Sequence, residues 1–76
     1  MTDDYNGYDN YETWNVCLWM MNDESLYELT QSVDDYAEFC EAIGYGVGGI
    51  NKTPDDVDFK DIRLNVSEIN EMVFTD

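Results

Sequence analysis

The sequence predicts an all-α or mainly α protein, a small compact bundle of about three helices with a glycine-rich loop. Apolar residues recur at helical spacing over 10–22 and 23–43, and a capping pattern predicts a last helix over 65–74. Four glycines within 44–49 predict the loop. Part of the chain near 47–66 also alternates apolar and polar residues, so an α+β fold with a short strand pair there remains the alternative.

The length and composition indicate one folded domain. A chain of 76 residues is short of the roughly 100–200 residues of an average domain. Its content of 43% hydrophobic and 14% aromatic residues is too high for a disordered acidic tail. We expect a single helical domain over 10–76, preceded by a flexible arm over 1–9 that is rich in Tyr and Asp.

The first helix is predicted over residues 10–22. Asn10 or Thr13 can cap its start, and Glu12 suits the positive end of the helix dipole. Its apolar residues cover most of the circumference, which is typical of a helix at the centre of a small core. The residues predicted to share its buried face, at positions i, i+3, i+4 and i+7, are Trp14, Cys17, Leu18 and Met21.

A second helical region is predicted over residues 23–43. Asn22 or Asp23 can cap it, and Gly44 suits a left-handed C-terminal cap. The stretch 32–35 is weak for helix, so one long helix and two shorter helices are both open. The apolar residues at alternating spacings of three and four are Leu26, Leu29, Val33, Tyr36, Cys40 and Ile43.

The segment that follows the glycines resembles a helix start, with Thr53 as cap, Pro54 at the first position and Asp56 three residues after the cap. We expect a short turn or helix over 54–62. A second capping pair, Asn65 with Glu68, predicts the start of the terminal helix.

Charge excludes several classes of function. Eighteen acidic residues against three basic ones give a net charge of −15, and the chain has no His. Without His there is no Ser–His–Asp triad and no histidine metal ligand. Direct binding to nucleic acid or to an anionic membrane is disfavoured, because both require several Lys or Arg. With no secretory signal and no long apolar run, we expect a cytoplasmic protein that does not span a membrane.

The uneven distribution of charge is the main functional signal. The first 51 residues contain eleven acids and no cation. Acids three or four residues apart on a helix lie about 5–6 Å from each other, a spacing of the same order as that of phosphates along a nucleic-acid strand. Two such rows are predicted, one of Asp34, Glu38 and Glu41 and one of Glu24 and Glu28. They would attract a basic cleft electrostatically. The predicted partner-binding residues, six acids and two aromatic anchors, are Glu24, Glu28, Asp34, Asp35, Glu38, Glu41, Trp19 and Tyr27.

Other chemistries have weaker support. Asp56 and Asp58 begin an EF-hand spacing, but Lys60 and Asp61 then occupy positions where a ligand and Gly are required. We therefore predict neither a metal nor another cofactor. The paired carboxylates are too numerous and unselective to indicate catalysis, so we expect no enzyme. The two cysteines, Cys17 and Cys40, lie on apolar helical faces and are predicted to be buried thiols.

The segment Tyr11–Trp19 (YETWNVCLW), followed by Asn-Asp-Glu over 22–24, resembles a family of small acidic proteins from phages and other mobile elements. The similarity extends to Thr53–Asp55 and to the segment 64–72. That family has no agreed activity, so the resemblance implies a phage-like cytoplasmic context and no catalytic residue.

Charge and resemblance together predict a phage-like acidic inhibitor. Its partner would be a host protein with a basic nucleic-acid-binding surface, and it would act by nucleic-acid mimicry in the manner of anti-CRISPR or anti-restriction proteins or of inhibitors of polymerase or nucleoid proteins. The alternative is an adaptor or enzyme inhibitor that binds through an apolar helix face, with the charge serving solubility. The two differ in salt dependence, because salt screens charge contacts and leaves apolar contacts intact.

Overall fold

The computed structural model describes residues 7–46 and 48–74 and is mainly helical, as predicted. It has four helices, because the second helical region is divided. The described residues contain no strand; Lys52 and Asp58 form only an isolated antiparallel bridge, so the alternative strand pair is absent from this part of the chain. The helices are α1 (Tyr11–Asn22), α2 (Glu24–Ser32), α3 (Tyr36–Ala42) and α4 (Val66–Val73).

The start of α1 is capped by Asn10, whose Oδ1 accepts a hydrogen bond from the Thr13 backbone N–H at 2.8 Å. At the other end Asp23 serves both helices. Its backbone N–H donates to the Trp19 carbonyl, and its Oδ1 accepts from the Leu26 N–H at 3.1 Å. One extended residue therefore separates the two helices, and α1 packs against α2.

The break between α2 and α3 falls inside the stretch that the sequence marks as weak. Val33 and Asp35 both have extended backbone angles. Asp35 caps α3 by accepting the Glu38 N–H at 3.0 Å. The two-helix alternative is correct because an Asp at this position satisfies the first amides of a new helix.

The buried face of α1 is rotated by about one residue from the prediction, and of the four predicted residues Cys17 alone is fully buried. Met21 is 47% exposed, and Trp14 and Leu18 are only half-buried. The physical reason is that two polar side chains of α1 have partners in the interior, as described below, and this turns the helix. The buried residues of α1 are Thr13, Asn15, Val16, Cys17 and Met20.

The core lies where α1, α3, α4 and the segment 53–59 meet. The Phe39 ring of α3 packs edge-on against the Phe59 ring at a centroid distance of 5.9 Å. The apolar pattern predicted over 23–43 is largely confirmed, with Leu29 and Val33 half-buried at its edge. The buried apolar residues are Val16, Cys17, Met20, Leu26, Tyr36, Phe39, Cys40, Ile43, Val57, Phe59 and Ile69.

The glycine-rich segment forms a loop, as predicted. Gly44 has φ +73° and ends the helical course after α3. The loop then returns to the same point, where the Ile50 N–H donates to the Ile43 carbonyl at 3.0 Å. Gly49 packs so closely on Gly44 that a Cβ atom at Gly49 would lie 1.6 Å from the Gly44 carbonyl oxygen. Only glycine fits at this contact.

The predicted turn or helix over 54–62 is a series of turns. The Thr53 hydroxyl oxygen accepts the Val57 N–H at 3.2 Å, as a cap would. Asp56 then adopts φ +72°, which ends the helical course within one turn. Further along, the Asn65 cap is confirmed, since Asn65 Oδ1 accepts the Glu68 N–H at 3.0 Å at the start of α4.

Of the predicted arm, residues 1–6 lie outside the described residues. The described part is attached to the domain rather than separate from it. Tyr8 is half-buried against the core, and the Asp9 N–H donates to Glu68 Oε1 at 2.7 Å. Among the described residues, no helix has the length and apolar character needed to cross a membrane.

Candidate protein-binding surface

Arg63 is held by two carboxylates. Its guanidinium lies 3.0 Å from Glu12 Oε2 and 2.8 Å from Asp61 Oδ2. The hydrogen bonds that Arg63 donates hold the pKa of Asp61 at about 2, below its usual range. This cation therefore joins α1 to the loop before α4, and its charge is balanced by its own neighbours.

The two lysines also lie in the segment 52–63 and have local partners. Lys52 Nζ is 3.2 Å from the carboxylate of Asp56. Lys60 Nζ lies over the Tyr45 ring, 4.9 Å from its centroid, in a cation–π contact. The positive charge of the whole chain is thus confined to one segment.

The six predicted acids stand on α2, on α3 and on the connection between them. Residues 23–41 contain seven acids and no Lys or Arg. Within the described part of the chain, none of the six forms an ion pair with a cation. We call them the α2–α3 acidic surface; all are exposed except Asp35, which is half-buried. They are Glu24, Glu28, Asp34, Asp35, Glu38 and Glu41.

Two of these acids have structural roles that the spacing did not predict. Asp35 caps α3, and the carboxylate of Glu38 accepts the Asp34 N–H at 2.9 Å. Because Asp34 precedes the cap, it lies outside α3. The predicted row of Asp34, Glu38 and Glu41 along one helix is therefore not a continuous helical row, while Glu24 and Glu28 do share a face of α2.

The two predicted aromatic anchors differ in exposure. Tyr27 is 49% exposed and lies beside Glu24, three residues earlier on α2. Trp19 is half-buried, and its Nε1 donates to Asp55 Oδ2 at 2.9 Å. Tyr27 is therefore the accessible aromatic of this surface, whereas Trp19 joins α1 to the turn at Asp55.

A buried polar network holds that turn against α1. Asn15 is fully buried, and its Nδ2 donates to Asp55 Oδ2 at 2.8 Å. Its Oδ1 accepts from the Thr53 hydroxyl at 2.7 Å. The bonds that Asn15 and Trp19 donate lower the pKa of Asp55. Sequence reasoning missed this site, although an Asn inside an otherwise apolar helical run was a signal for it.

The acids clustered over 55–61 are directed to separate partners. Asp55 accepts from α1, Asp56 pairs with Lys52, and Asp61 pairs with Arg63. Asp58 Oδ1 accepts from the Tyr45 hydroxyl at 2.6 Å, which raises the pKa of Tyr45. Within residues 7–46 and 48–74, no three carboxylates or thiols are gathered where they could hold a metal ion.

The two thiols are unpaired and buried, as predicted. Burial raises the pKa of Cys17 to about 12 and also raises the pKa of Cys40 above its usual value. A thiolate, the reactive form, is therefore disfavoured at both positions at neutral pH.

These features define a small acidic domain, with four helices in its described residues, its cations on one segment and an exposed acidic surface on α2 and α3. The chain belongs to the family described as DUF7249, a family of unknown function, whose model matches residues 1–75. No curated protein and no solved structure matches it.

The residues that carry the sequence resemblance mostly hold the fold together. Glu12 binds Arg63, and the Thr13 hydroxyl oxygen accepts the Asn65 N–H at 2.9 Å. Asn15 binds both Thr53 and Asp55. The Glu-Thr-Trp-Asn segment therefore links α1 to the turn at 53–55 and to Asn65, the residue that caps α4. The α2–α3 acidic surface lies outside this segment.

Proposed function

We propose that this protein binds a basic nucleic-acid-binding surface of a partner protein through its α2–α3 acidic surface and blocks that surface by nucleic-acid mimicry. The mechanism is electrostatic and steric occlusion, with no bond made or broken. In the phage-like context that the resemblance implies, the partner is a bacterial host protein that handles DNA or RNA.

One observation carries this proposal. The acids of α2 and α3 form no ion pair within the described part of the chain, while all three cations lie in the segment 52–63 beside other partners. The six acids of the α2–α3 acidic surface have no compensating cation and repel each other, at a cost of a few tenths of a kcal/mol for each neighbouring pair. A cationic partner removes that repulsion and gains attraction at long range.

The exposed aromatic ring supports a protein partner. Tyr27 lies three residues after Glu24, next to it on the surface of α2, and is half exposed. Tyr is enriched at the centres of protein interfaces, where its ring contributes contact area and its hydroxyl a hydrogen bond. A lysine or arginine side chain can meet the Tyr27 ring and the Glu24 carboxylate together.

The test is affinity capture from a bacterial lysate with three neutral substitutions on the surface. Glu24→Gln, Glu28→Gln and Asp34→Asn remove carboxylates that cap no helix and accept no hydrogen bond within the described structure. The triple variant is expected to weaken capture at least about 10-fold, since each exposed charge pair contributes up to about 1 kcal/mol. Asp9→Asn, Asp56→Asn and Glu71→Gln together form the matched control, with the same change of net charge away from α2 and α3.

The salt and competitor dependence completes the experiment. Capture at about 0.1 M NaCl should be lost at about 0.5 M, where the Debye length falls to a few ångströms. Duplex DNA should displace the captured protein, because both ligands occupy one basic surface. Capture that survives high salt, resists DNA and persists in the triple variant would instead support an apolar interface, and the mimicry proposal would be wrong.

A further inference from the structure

An apolar cleft of about 360 Å³ lies between α3 and the segment that leads into α4. Its floor is made of three buried residues, Tyr36, Cys40 and Phe59. The Tyr36 hydroxyl donates to the Phe59 carbonyl at 2.5 Å, and the Cys40 thiol is directed at the same oxygen. The polar atoms of the floor are therefore used internally, and the cleft presents mainly apolar surface.

A fully exposed apolar side chain stands directly beside this cleft. Ile62 is 99% exposed, and the cleft is lined by Asp61, directly before it, and Leu64, two residues after it. The turn is held in shape, because Asp61 Oδ1 accepts the Arg63 N–H at 2.8 Å and the Leu64 N–H donates to the Asp61 carbonyl at 3.0 Å. Ile62 therefore lies in a turn whose conformation is fixed by hydrogen bonds.

Charge makes this face different from the rest of the molecule. The segment 59–66 contains two cations, Lys60 and Arg63, and one acid, Asp61. The opposite wall of the cleft is α3, which carries Glu41 at the rim. Because Arg63 is paired with Glu12 and Asp61, Lys60 is the cation of this segment that faces Glu41 across the cleft without a carboxylate partner of its own in the described residues. The cleft therefore lies on a locally near-neutral part of a chain whose net charge is −15.

We propose that two copies of this chain associate through this face, each inserting Ile62 into the cleft of the other. In a two-fold interface the same patch of each copy contacts the other. Ile62 of each copy therefore enters the cleft of its partner, and the same contact forms twice. The same arrangement brings Lys60 of each copy near Glu41 on the α3 wall of its partner. Elsewhere, two chains of this charge repel each other, so the mixed-charge face is where a second copy meets least repulsion.

The volume of the cleft is adequate for this contact. At about 360 Å³ it exceeds by more than tenfold the volume of about 30 Å³ that one water molecule occupies in the liquid. A branched four-carbon side chain fits such a space, and the removal of its apolar surface from water in each copy favours association. The proposed dimer shares Glu41 with the α2–α3 acidic surface but does not use Glu24, Glu28 or Asp34, the residues that the capture experiment changes. The two proposals can therefore fail separately.

The first measurement is sedimentation velocity of the wild-type chain over a range from about 10 μM to about 1 mM. We expect a reversible monomer–dimer equilibrium that tightens several-fold when NaCl is raised from about 0.1 M to about 1 M, because salt screens the repulsion between the two acidic chains. This salt dependence is opposite to that expected for the acidic surface. A monomer at every concentration and salt would overturn the proposal.

Two variants test the interface directly. Ile62→Asp should raise the dissociation constant at least about 100-fold, since two isoleucine contacts are lost. Its melting temperature in dilute solution should be unchanged, because Ile62 touches little within its own chain. Ala37→Glu, at an exposed position that lines the cleft, should also weaken the dimer.

Ile50→Asp is the matched control. Ile50 is 45% exposed and does not line the cleft between α3 and α4. The control should dimerise as the wild type does. Dimers that persist in both cleft variants, or that the control substitution also dissociates, place the contact elsewhere and overturn the proposal.

Discussion

At the scale of single residues, Asn15 shows how a polar side chain orients a helix. It is fully buried in α1, and both ends of its amide are hydrogen-bonded, to Asp55 and to Thr53. A buried amide without partners would cost about 1–3 kcal/mol, so the helix must turn to place Asn15 against the 53–57 turn. The apolar residue Met21 is exposed as a result.

Replacement of Asn15 by Ala should therefore destabilise the domain by about 2 kcal/mol or more, because it leaves a cavity and removes the buried partner of Thr53. Urea denaturation would measure the loss. Asn22→Ala is the matched control: Asn22 is exposed and bonds only to the Leu18 carbonyl of its own helix, so its effect should stay within about 0.5 kcal/mol. Equal losses from the two variants would contradict the structural role of Asn15.

The carboxylate of Asp55 predicts a pH dependence. Hydrogen bonds from Asn15 and Trp19 lower its folded pKa, whereas the unfolded chain keeps a value of about 3.9. Stability from this shift is therefore complete above the unfolded pKa and is lost as the pH falls through the folded pKa. At pH 7 the melting temperature of the wild type should be higher than that of the Asp55→Asn variant. The difference between the two melting temperatures should shrink steadily below about pH 4. A constant difference across this range would show that the charge of Asp55 is not involved.

At the scale of elements, asparagine and aspartate residues set the beginnings of all four helices. Asn10, Asp23, Asp35 and Asn65 each accept a backbone N–H of the first turn. Because these caps are local, three of them are visible in sequence as Asn or Asp before an apolar periodic run. The fourth, Asp35, lies inside a run of continuous apolar spacing, and so one helix and two helices both fit the pattern.

The adjacent acids Asp34 and Asp35 allow the cap of α3 to be tested. Asp35→Ala should destabilise the domain by about 1 kcal/mol, because the Glu38 N–H loses its acceptor. Asp34→Ala removes an equal charge one residue away, where the carboxylate caps nothing, and should have little effect. Thermal melts of the two variants compare them directly. A larger loss from Asp34→Ala would contradict the assignment of the cap.

At the scale of the whole molecule, charge and size act together. A domain of 76 residues buries a limited core, and a net charge of −15 opposes its compaction. The three cations do not spread across the surface to offset this charge but lie in one segment, where they brace loops. Repulsion over α2 and α3 is thus left unrelieved within the described part of the chain.

Added salt should therefore stabilise the fold. Screening of several neighbouring acid pairs, at a few tenths of a kcal/mol each, amounts to about 1 kcal/mol. For a domain of this size, that corresponds to a rise in Tm of about 4–8 °C between low and high NaCl. Differential scanning calorimetry would measure the rise, and the triple variant Glu24→Gln, Glu28→Gln, Asp34→Asn should show a smaller one. A Tm independent of salt would mean that repulsion does not limit stability.

Local features of the chain were readable in sequence because they depend on neighbours within a few residues. Helical spacing and capping residues predicted a mainly helical fold and a terminal helix over 65–74, which the structure has at Val66–Val73, and four glycines predicted the loop. Net charge, the absence of His and the burial of Cys17 and Cys40 followed from composition and pattern. The excess of acids over 23–41 is likewise a property of the sequence alone.

Only the tertiary structure decided which way α1 faces, because this depends on bonds from Asn15 to residues about forty positions away. The apparent helix start at Thr53 is a turn, since Val57 and Phe59 must reach the core directly after it. The cleft near Ile62 is likewise formed by α3 and by a segment that is distant from α3 in sequence. Contacts between remote residues have no local spacing, so no periodicity in the chain could reveal them.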